Sequence, residues 1–304
     1  MSYPLKGAFF QIANSHSHLY RKAVDALDCL KMKHIIIHTE AYLDEDNEPE
    51  NRVDETGIRI TLESAAELDM KVWIGLVLPY SERQNGNYDW INNKDFMKMF
   101  TAQSLDSVDR IWERWGRRYE KFDGFYLTYE GWTPKSHSEL GYFENYLVEV
   151  SKKCRTKGDN LQIAISPFIN QKIDNFADIT EEYYKDLLPK TELTTVMLQD
   201  GVGGENKVPV GTVPAYMQAM QNACDHAGIE MWANVESLKS GAPTTFASLQ
   251  DQIAAANEVT DQLVTFEFAN YWLKDIGGAK AAELYTAYFD EFIKTPARCR
   301  ETPD

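Results

Sequence analysis

The chain has 304 residues, 43% of them hydrophobic and 12% aromatic, enough apolar material for a large core, and this excludes wholesale disorder. Lys+Arg number 31 against 47 Asp+Glu, a net charge of −16 that repels phosphate backbones and anionic lipid. Nucleic acid and membranes are therefore excluded as expected partners, and no stretch is apolar for long enough to span a bilayer. The opening MSYPLKGAFFQIANSH lacks the charged, apolar and small-residue regions of a signal peptide. It reads as cytoplasmic for the chain as it stands, or as periplasmic or secreted if a leader has been removed. Cys29, Cys154, Cys224 and Cys299 are widely spaced, without a CxxC pair, which argues against a zinc site or a disulfide framework.

Short apolar runs alternate with longer amphipathic ones along the chain. Strands are predicted at 7–12, 34–40, 71–79, 124–130, 161–168, 194–200, 230–236 and 262–269, mostly apolar on both faces, as parallel strands covered on both sides should be. Helices are predicted at 17–32, 56–69, 94–121, 138–157, 179–188, 213–227, 245–260 and 278–294. Thr180-Glu181-Glu182 reads as the opening of the fifth helix, Pro214 lies in the first turn of the sixth, and Gly158 and Gly228 lie just past helix ends. Eight strand–helix units in a chain of this length predict one (β/α)8 TIM barrel, an α/β fold in a single domain over 1–304. A doubly wound open sheet is the competitor, weakened because no GxGxxG turn follows the first strand.

The segments after strands two, three, five and six (41–55, 79–93, 168–178, 201–212) are long and rich in Asp, Asn, Gly and Pro. In a barrel these loops crown the face where the strands end, which is where barrel enzymes place their chemistry. The strand ends carry Gln11 and Asn14, then His38 and Glu40, then Glu130 with Trp132, then Ser166 and Asn170. Strand six ends in Gln199 and Asp200, strand seven carries Trp232, Asn234 and Glu236, and Glu267, Asn270, Tyr271 and Trp272 follow strand eight. Period-two alternation places Trp232, Asn234 and Glu236 on one side of their strand.

Carboxylates among aromatics and side-chain amides suit glycosidic bond cleavage. One acid protonates the leaving oxygen, and a second attacks the sugar or activates water. Glu130 is expected to be the general acid/base and Glu236 the nucleophile or general base. Asp200 and Glu267 are expected to tune pKa values or orient substrate. Gln11, His38, Glu40, Asn170, Gln199 and Asn234 would hold hydroxyls, and Trp132, Trp232, Tyr271 and Trp272, with Tyr80 and Trp90, would offer stacking faces. No cofactor and no metal are expected, because the HSH at 16–18 has no histidine partner at strands five or six. The DEDNEPE run (44–50) lacks calcium-loop spacing and reads as a solvated loop, and GVGG (201–204) reads as a flexible loop rather than a phosphate cradle.

GFYLTYEGW (124–132), ISPF (165–168), MLQDGVG (197–203), WANVES (232–237) and GLVLP (75–79) together resemble the bacterial family called domain of unknown function 4434. That resemblance implies a TIM barrel and glycoside hydrolysis, without a substrate. The placement of Glu130 and Glu236 is also similar to the retaining-hydrolase clan with its acid/base after strand four and its nucleophile on strand seven. An Asn usually precedes the strand-four Glu in that clan, whereas Tyr129 stands here, so Asp200 or Glu267 stays open as the second carboxylate. A non-catalytic carbohydrate-binding barrel and a barrel hydrolase of different chemistry are the other two readings.

Overall fold

Strand β2 (His34–Ile37) shows how this sequence builds its scaffold: Ile36 points into the barrel, while Ile35 and Ile37 face the surrounding helices. The computed structural model describes residues 3–11, 14–43, 49–50, 55–79, 94–131, 141–169, 175–204 and 207–301. The other barrel strands are β1 (Leu5–Phe10), β3 (Lys71–Gly75), β4 (Phe122–Leu127), β5 (Gln162–Ile165), β6 (Thr195–Gln199), β7 (Glu230–Glu236) and β8 (Leu263–Phe266). Each pairs in parallel with its neighbours in chain order, and β8 pairs with β1 to close an eight-stranded barrel. The fold is the TIM barrel expected from the alternation.

The helices are α1 (Tyr20–Cys29), α2 (Glu55–Glu67), α3 (Lys94–Ile111), α4 (Gly141–Arg155), α5 (Phe176–Leu187), α6 (Val213–Ala227), α7 (Phe246–Asn257), a short α8 (Phe268–Trp272) and α9 (Lys274–Tyr288). Each lays an apolar stripe on the sheet. On α1 the buried positions Tyr20, Ala23, Val24 and Leu27 recur at helical spacing. Burying a Leu or Val side chain contributes about 1.5–3 kcal/mol, so this outer layer carries much of the stability. Helix α6 stops at Gly228, whose φ of 69° is the left-handed conformation that glycine adopts without strain.

Several element ends differ from expectation. Helix α5 begins at Phe176, after Asn175, so Thr180 is buried inside it rather than opening it. Helix α3 gives way to a π turn at Trp112–Gly116 instead of running to 121, with Trp115 buried and Trp112 set edge-on to Phe122. A small sheet of Tyr42–Leu43, Pro49–Glu50 and Leu78–Pro79 and a hairpin of Leu238–Lys239 with Ala242–Pro243 decorate the strand ends. The cysteine reading is corrected. Cys29 at the end of α1 is disulfide-bonded to Cys299, with Cα atoms 5.3 Å apart. The partners are 270 residues apart in sequence, and barrel closure alone brings them together. Cys154 and Cys224 are free and buried.

The barrel interior is packed in tiers. At the end where the strands begin, His34, Trp73 and Trp232 form an aromatic cluster, their ring centroids 5.0–5.8 Å apart. Above it Phe9 and Tyr126 meet at 5.1 Å, and Phe9 and Phe266 at 5.6 Å. This plug makes the interior solid and leaves the mouth at the strand ends for chemistry.

Candidate active site

Glu130 lies three residues beyond β4 and reaches back over the barrel, with its side chain 25% exposed. Two groups from the tier below meet it. The Tyr126 hydroxyl donates to Glu130 Oε1 at 3.3 Å, and His38 Nε2 stands 3.5 Å from the same oxygen. The Tyr126 ring is fully buried, and burial together with the Glu130 charge raises its phenol well above the ordinary value, so it remains a donor. His38 is buried against Phe9 and Phe266, with Nδ1 making no hydrogen bond.

Glu236 ends β7, which is not adjacent to β4 in the sheet order. Its Oε2 accepts from the backbone amides of Gly203 at 2.8 Å and Gly204 at 2.6 Å. Among the described residues no hydrogen bond reaches its Oε1, which leaves that oxygen available. Burial pushes the Glu236 carboxyl above its usual range, the two amides oppose that rise, and the Glu130 charge adds to it. The two carboxylates thus sense one another across the mouth.

The GVGG segment is not the slack loop expected from its composition. A Cβ on Gly203 would lie 1.8 Å from the Leu238 carbonyl oxygen, so only glycine brings this backbone close enough to grip Glu236. Asp200, fully buried at the end of β6, accepts from the Val202 amide at 3.1 Å through Oδ1. Burial and then the Glu236 charge raise its carboxyl well above the ordinary range. Beside it, Gln199 donates to the Ser166 carbonyl at 2.8 Å, and Asn234 donates to the Ser166 hydroxyl at 3.1 Å. These three strand ends form a polar shelf next to Glu236, with Asn234 Oδ1 lacking a hydrogen-bond partner. Phe266 pairs in register with Glu236 and is only partly buried, which gives the mouth an apolar floor.

Not every expected residue converges here. Glu40 is drawn outward, where Ser107 donates to it at 2.5 Å and Arg110 at 2.7 Å. The strand ends at Ile37, so alternation no longer governs its direction. Trp232 lies in the opposite tier, its indole N–H donating to Glu230 at 3.0 Å. Trp272 is fully buried between Phe268 and Tyr288 and has no free face. Tyr271 is half-buried on α8 against the outer core.

Glu267 spends both oxygens on structure. Oε1 accepts from the amides of Gln11 at 2.9 Å and Ala269 at 2.7 Å, and Oε2 accepts from the Asn270 amide at 2.8 Å and its side chain at 2.7 Å. It caps α8 and ties β8 to the end of β1, with burial lifting its carboxyl to about 7 against the pull of those donors. Gln11 is anchored in turn on the Tyr42 hydroxyl at 2.6 Å. Trp132, Asn170, Tyr80, Trp90, the side chain of Asn14 and residues 44–48 lie outside the described residues.

Tyr126, Phe266 and the two glycine amides were missed in the sequence. Alternation carried the signal for the first two, since Tyr126 shares parity with Glu130 and Phe266, not Glu267, faces inward. Among the described residues no group of three or more His, Cys, Asp and Glu side chains could hold a metal ion. No helix of the described residues is long and apolar enough to cross a membrane.

Comparison with solved structures finds the same barrel fold in other proteins. The chain is similar to a protein of Bacteroides thetaiotaomicron VPI-5482 provisionally described as an alpha-L-fucosidase, with TM-score 0.74 and 17% identity over 96% of this chain and 94% of that one. It is also similar to the intracellular xylanase TsXylA of Thermoanaerobacterium saccharolyticum JW/SL-YS485, with TM-score 0.55 and 9% identity over 90% of each chain. A GH18 chitinase of Pseudoalteromonas aurantia gives TM-score 0.55 and 10% identity over 90% of this chain and 97% of that one. At these identities the likeness is one of fold. No curated protein matches the sequence. The model of the family described as "Domain of unknown function (DUF4434)" matches residues 5–275, and the chain belongs to that family.

Proposed function

We propose that this barrel hydrolyses O-glycosidic bonds of an oligo- or polysaccharide, with Glu130 as general acid/base and Glu236 as nucleophile or general base. The observation that carries the reading is the placement of these two carboxylates at or beyond the ends of non-adjacent strands, near enough for the Glu130 charge to act on Glu236. Glycosidic cleavage needs this pairing of acids across one bond. The likeness in fold to barrels described as a fucosidase, a xylanase and a chitinase supports it.

Glu130, in its acid form, gives its proton to the glycosidic oxygen as the bond to the anomeric carbon breaks. The Oε1 of Glu236 then supplies the electron pair. It either bonds to the anomeric carbon directly or takes a proton from the water that does so. In the first case water later displaces Glu236, and the ionised Glu130 accepts that water's proton, which restores both groups. Tyr126 holds Glu130 in place, the amides of Gly203 and Gly204 hold Glu236, and the Phe266 ring offers a sugar its apolar contact. Asn234 and Gln199, buried and donating to Ser166, brace the strand ends beneath Glu236.

The test is reducing-end release from a panel of oligosaccharides and aryl glycosides by the wild type, Glu130→Gln and Glu236→Gln. Each variant should fold as the wild type does and lose about 10³-fold or more in kcat. Near-wild-type turnover by both variants would overturn the reading.

A further inference from the structure

Asp200 belongs to no ion pair among the described residues, yet its side chain is sealed from solvent. Its amide donates to the Asn234 carbonyl at 3.0 Å, which locks the end of β6 against β7. Its Oδ1 accepts from the Val202 amide at 3.1 Å and closes a turn over Gly201, whose φ is 65°. The Gly201 carbonyl accepts from the Val208 amide at 2.9 Å, which secures the far side of the loop. The next two amides of that turn, Gly203 and Gly204, are the pair that grips Glu236 Oε2. Asp200 Oδ2 is buried and has no hydrogen-bond partner.

These contacts decide which charge state fits. An ionised Asp200 would leave a bare oxygen charge in a site sealed from bulk solvent, beside a second carboxylate. An unpartnered hydroxyl there costs far less than an unpartnered charge. The neutral acid still offers Oδ1 to the Val202 amide, so it loses nothing that the turn requires. The charged groups that face it are Glu236 on β7 and, beyond that, Glu130 after β4, and no Lys, Arg or His among the described residues pairs with Asp200 or Glu236. Glu236 has two amide donors on one oxygen and takes the single negative charge more readily.

We propose that Asp200 works as a neutral carboxylic acid, a positioning residue that fixes the 200–204 turn beneath Glu236 without setting a second negative charge beside it. Burial and the Glu236 charge act on Asp200 in the same direction and outweigh the opposing pull of the Val202 and Glu236 backbone amides. The role rests on reading Glu236 as the reacting carboxylate. Were Asp200 ionised, its repulsion would drive Glu236 to keep a proton and disable its attack.

The test has two arms. In the first, the protein carries 13C at its aspartate side-chain carboxyls, and carboxyl signals are followed by NMR across neutral pH. Asp200 is the one fully buried aspartate among the described residues, so one signal should remain in the protonated position at pH 7 and be missing from Asp200→Asn. If that signal titrates in the ordinary aspartate range, the proposal is wrong. In the second arm, kcat and kcat/KM are measured against pH on whichever glycoside the wild type cleaves. Asp200→Asn, a neutral isostere, should stay within about 3-fold of wild-type kcat with its acid limb unmoved. Asp200→Ala, which frees the turn, should fall roughly 10-fold or more. An Asn variant as poor as the Ala variant, or one with its acid limb displaced by about one unit, would overturn the proposal. Absence of wild-type activity on every glycoside would count against the hydrolase reading alone, and the NMR arm would still decide the state of Asp200.

Discussion

Tyr126 and Glu130 form a pair within the mouth, with the phenol donating to Glu130 Oε1 at 3.3 Å from a ring packed 5.1 Å from Phe9. The tyrosine is fixed by the interior plug, so it transmits the rigidity of the barrel to a carboxylate carried on a loop. Tyr126→Phe keeps the packing and removes only the hydroxyl. It should lower kcat about 10-fold with KM nearly unchanged, and steady-state kinetics on the cleaved glycoside will check this. An unchanged kcat would show that Glu130 needs no such support.

Gly203→Ala probes the other carboxylate. The added Cβ would meet the Leu238 carbonyl oxygen at 1.8 Å, so the loop must move and its amides must leave Glu236. The expected result is a loss of stability of about 1–3 kcal/mol, from urea unfolding, and a kcat at least roughly 10-fold lower.

His34 carries a pH dependence of stability. Half-buried against Trp73 and Trp232, its imidazole sits at about 4 rather than the ordinary 6.5, because desolvation disfavours the charged form and the Lys71 charge adds to that. Below pH 6.5 the unfolded chain takes up a proton that the folded chain refuses, so stability is lost as pH falls toward 4. The full loss is about 3 kcal/mol. His34→Phe should remove this component. The unfolding free energy of wild type relative to the variant should therefore fall between pH 7 and pH 4, and a constant difference would contradict the assignment.

The Cys29–Cys299 bond ties α1 to the C-terminal segment, closing a loop of 270 residues. Reduction should lower the unfolding free energy by about 2–4 kcal/mol. Thiol titration gives the matching chemical check. The native protein should expose no reactive thiol, since Cys154 and Cys224 are buried with burial raising both thiols, and denaturation without reductant should expose these two.

The barrel was legible because parallel strands covered on both faces must be apolar throughout, and eight such runs leave few architectures open. β7 and α6 were read to the residue, since Glu230–Glu236 alternates cleanly and Gly228 ends its helix. Glu130 and Glu236 stand out in the sequence because they are carboxylates at or just past the ends of otherwise apolar strands. Trp232, Trp272 and Glu40 were misassigned because residue type does not reveal depth. Trp232 shares its face with Glu236 yet sits a tier lower, and Glu40 follows the end of its strand and finds Arg110. The grip on Glu236 was hidden because it is made by backbone amides, which leave no mark in side-chain chemistry beyond two glycines. The disulfide was hidden because only tertiary closure joins its halves.

The claim that Glu130 and Glu236 act together on one bond is tested most directly by a double-mutant comparison of Glu130→Gln, Glu236→Gln and the variant carrying both, with kcat measured for each on one glycoside. Groups that serve one transition state lose their effect together, so the double variant should be no more than about 10-fold slower than the slower single variant. A double loss equal to the product of the two single losses, or a single variant with wild-type turnover, would show that the two carboxylates do not share a reaction.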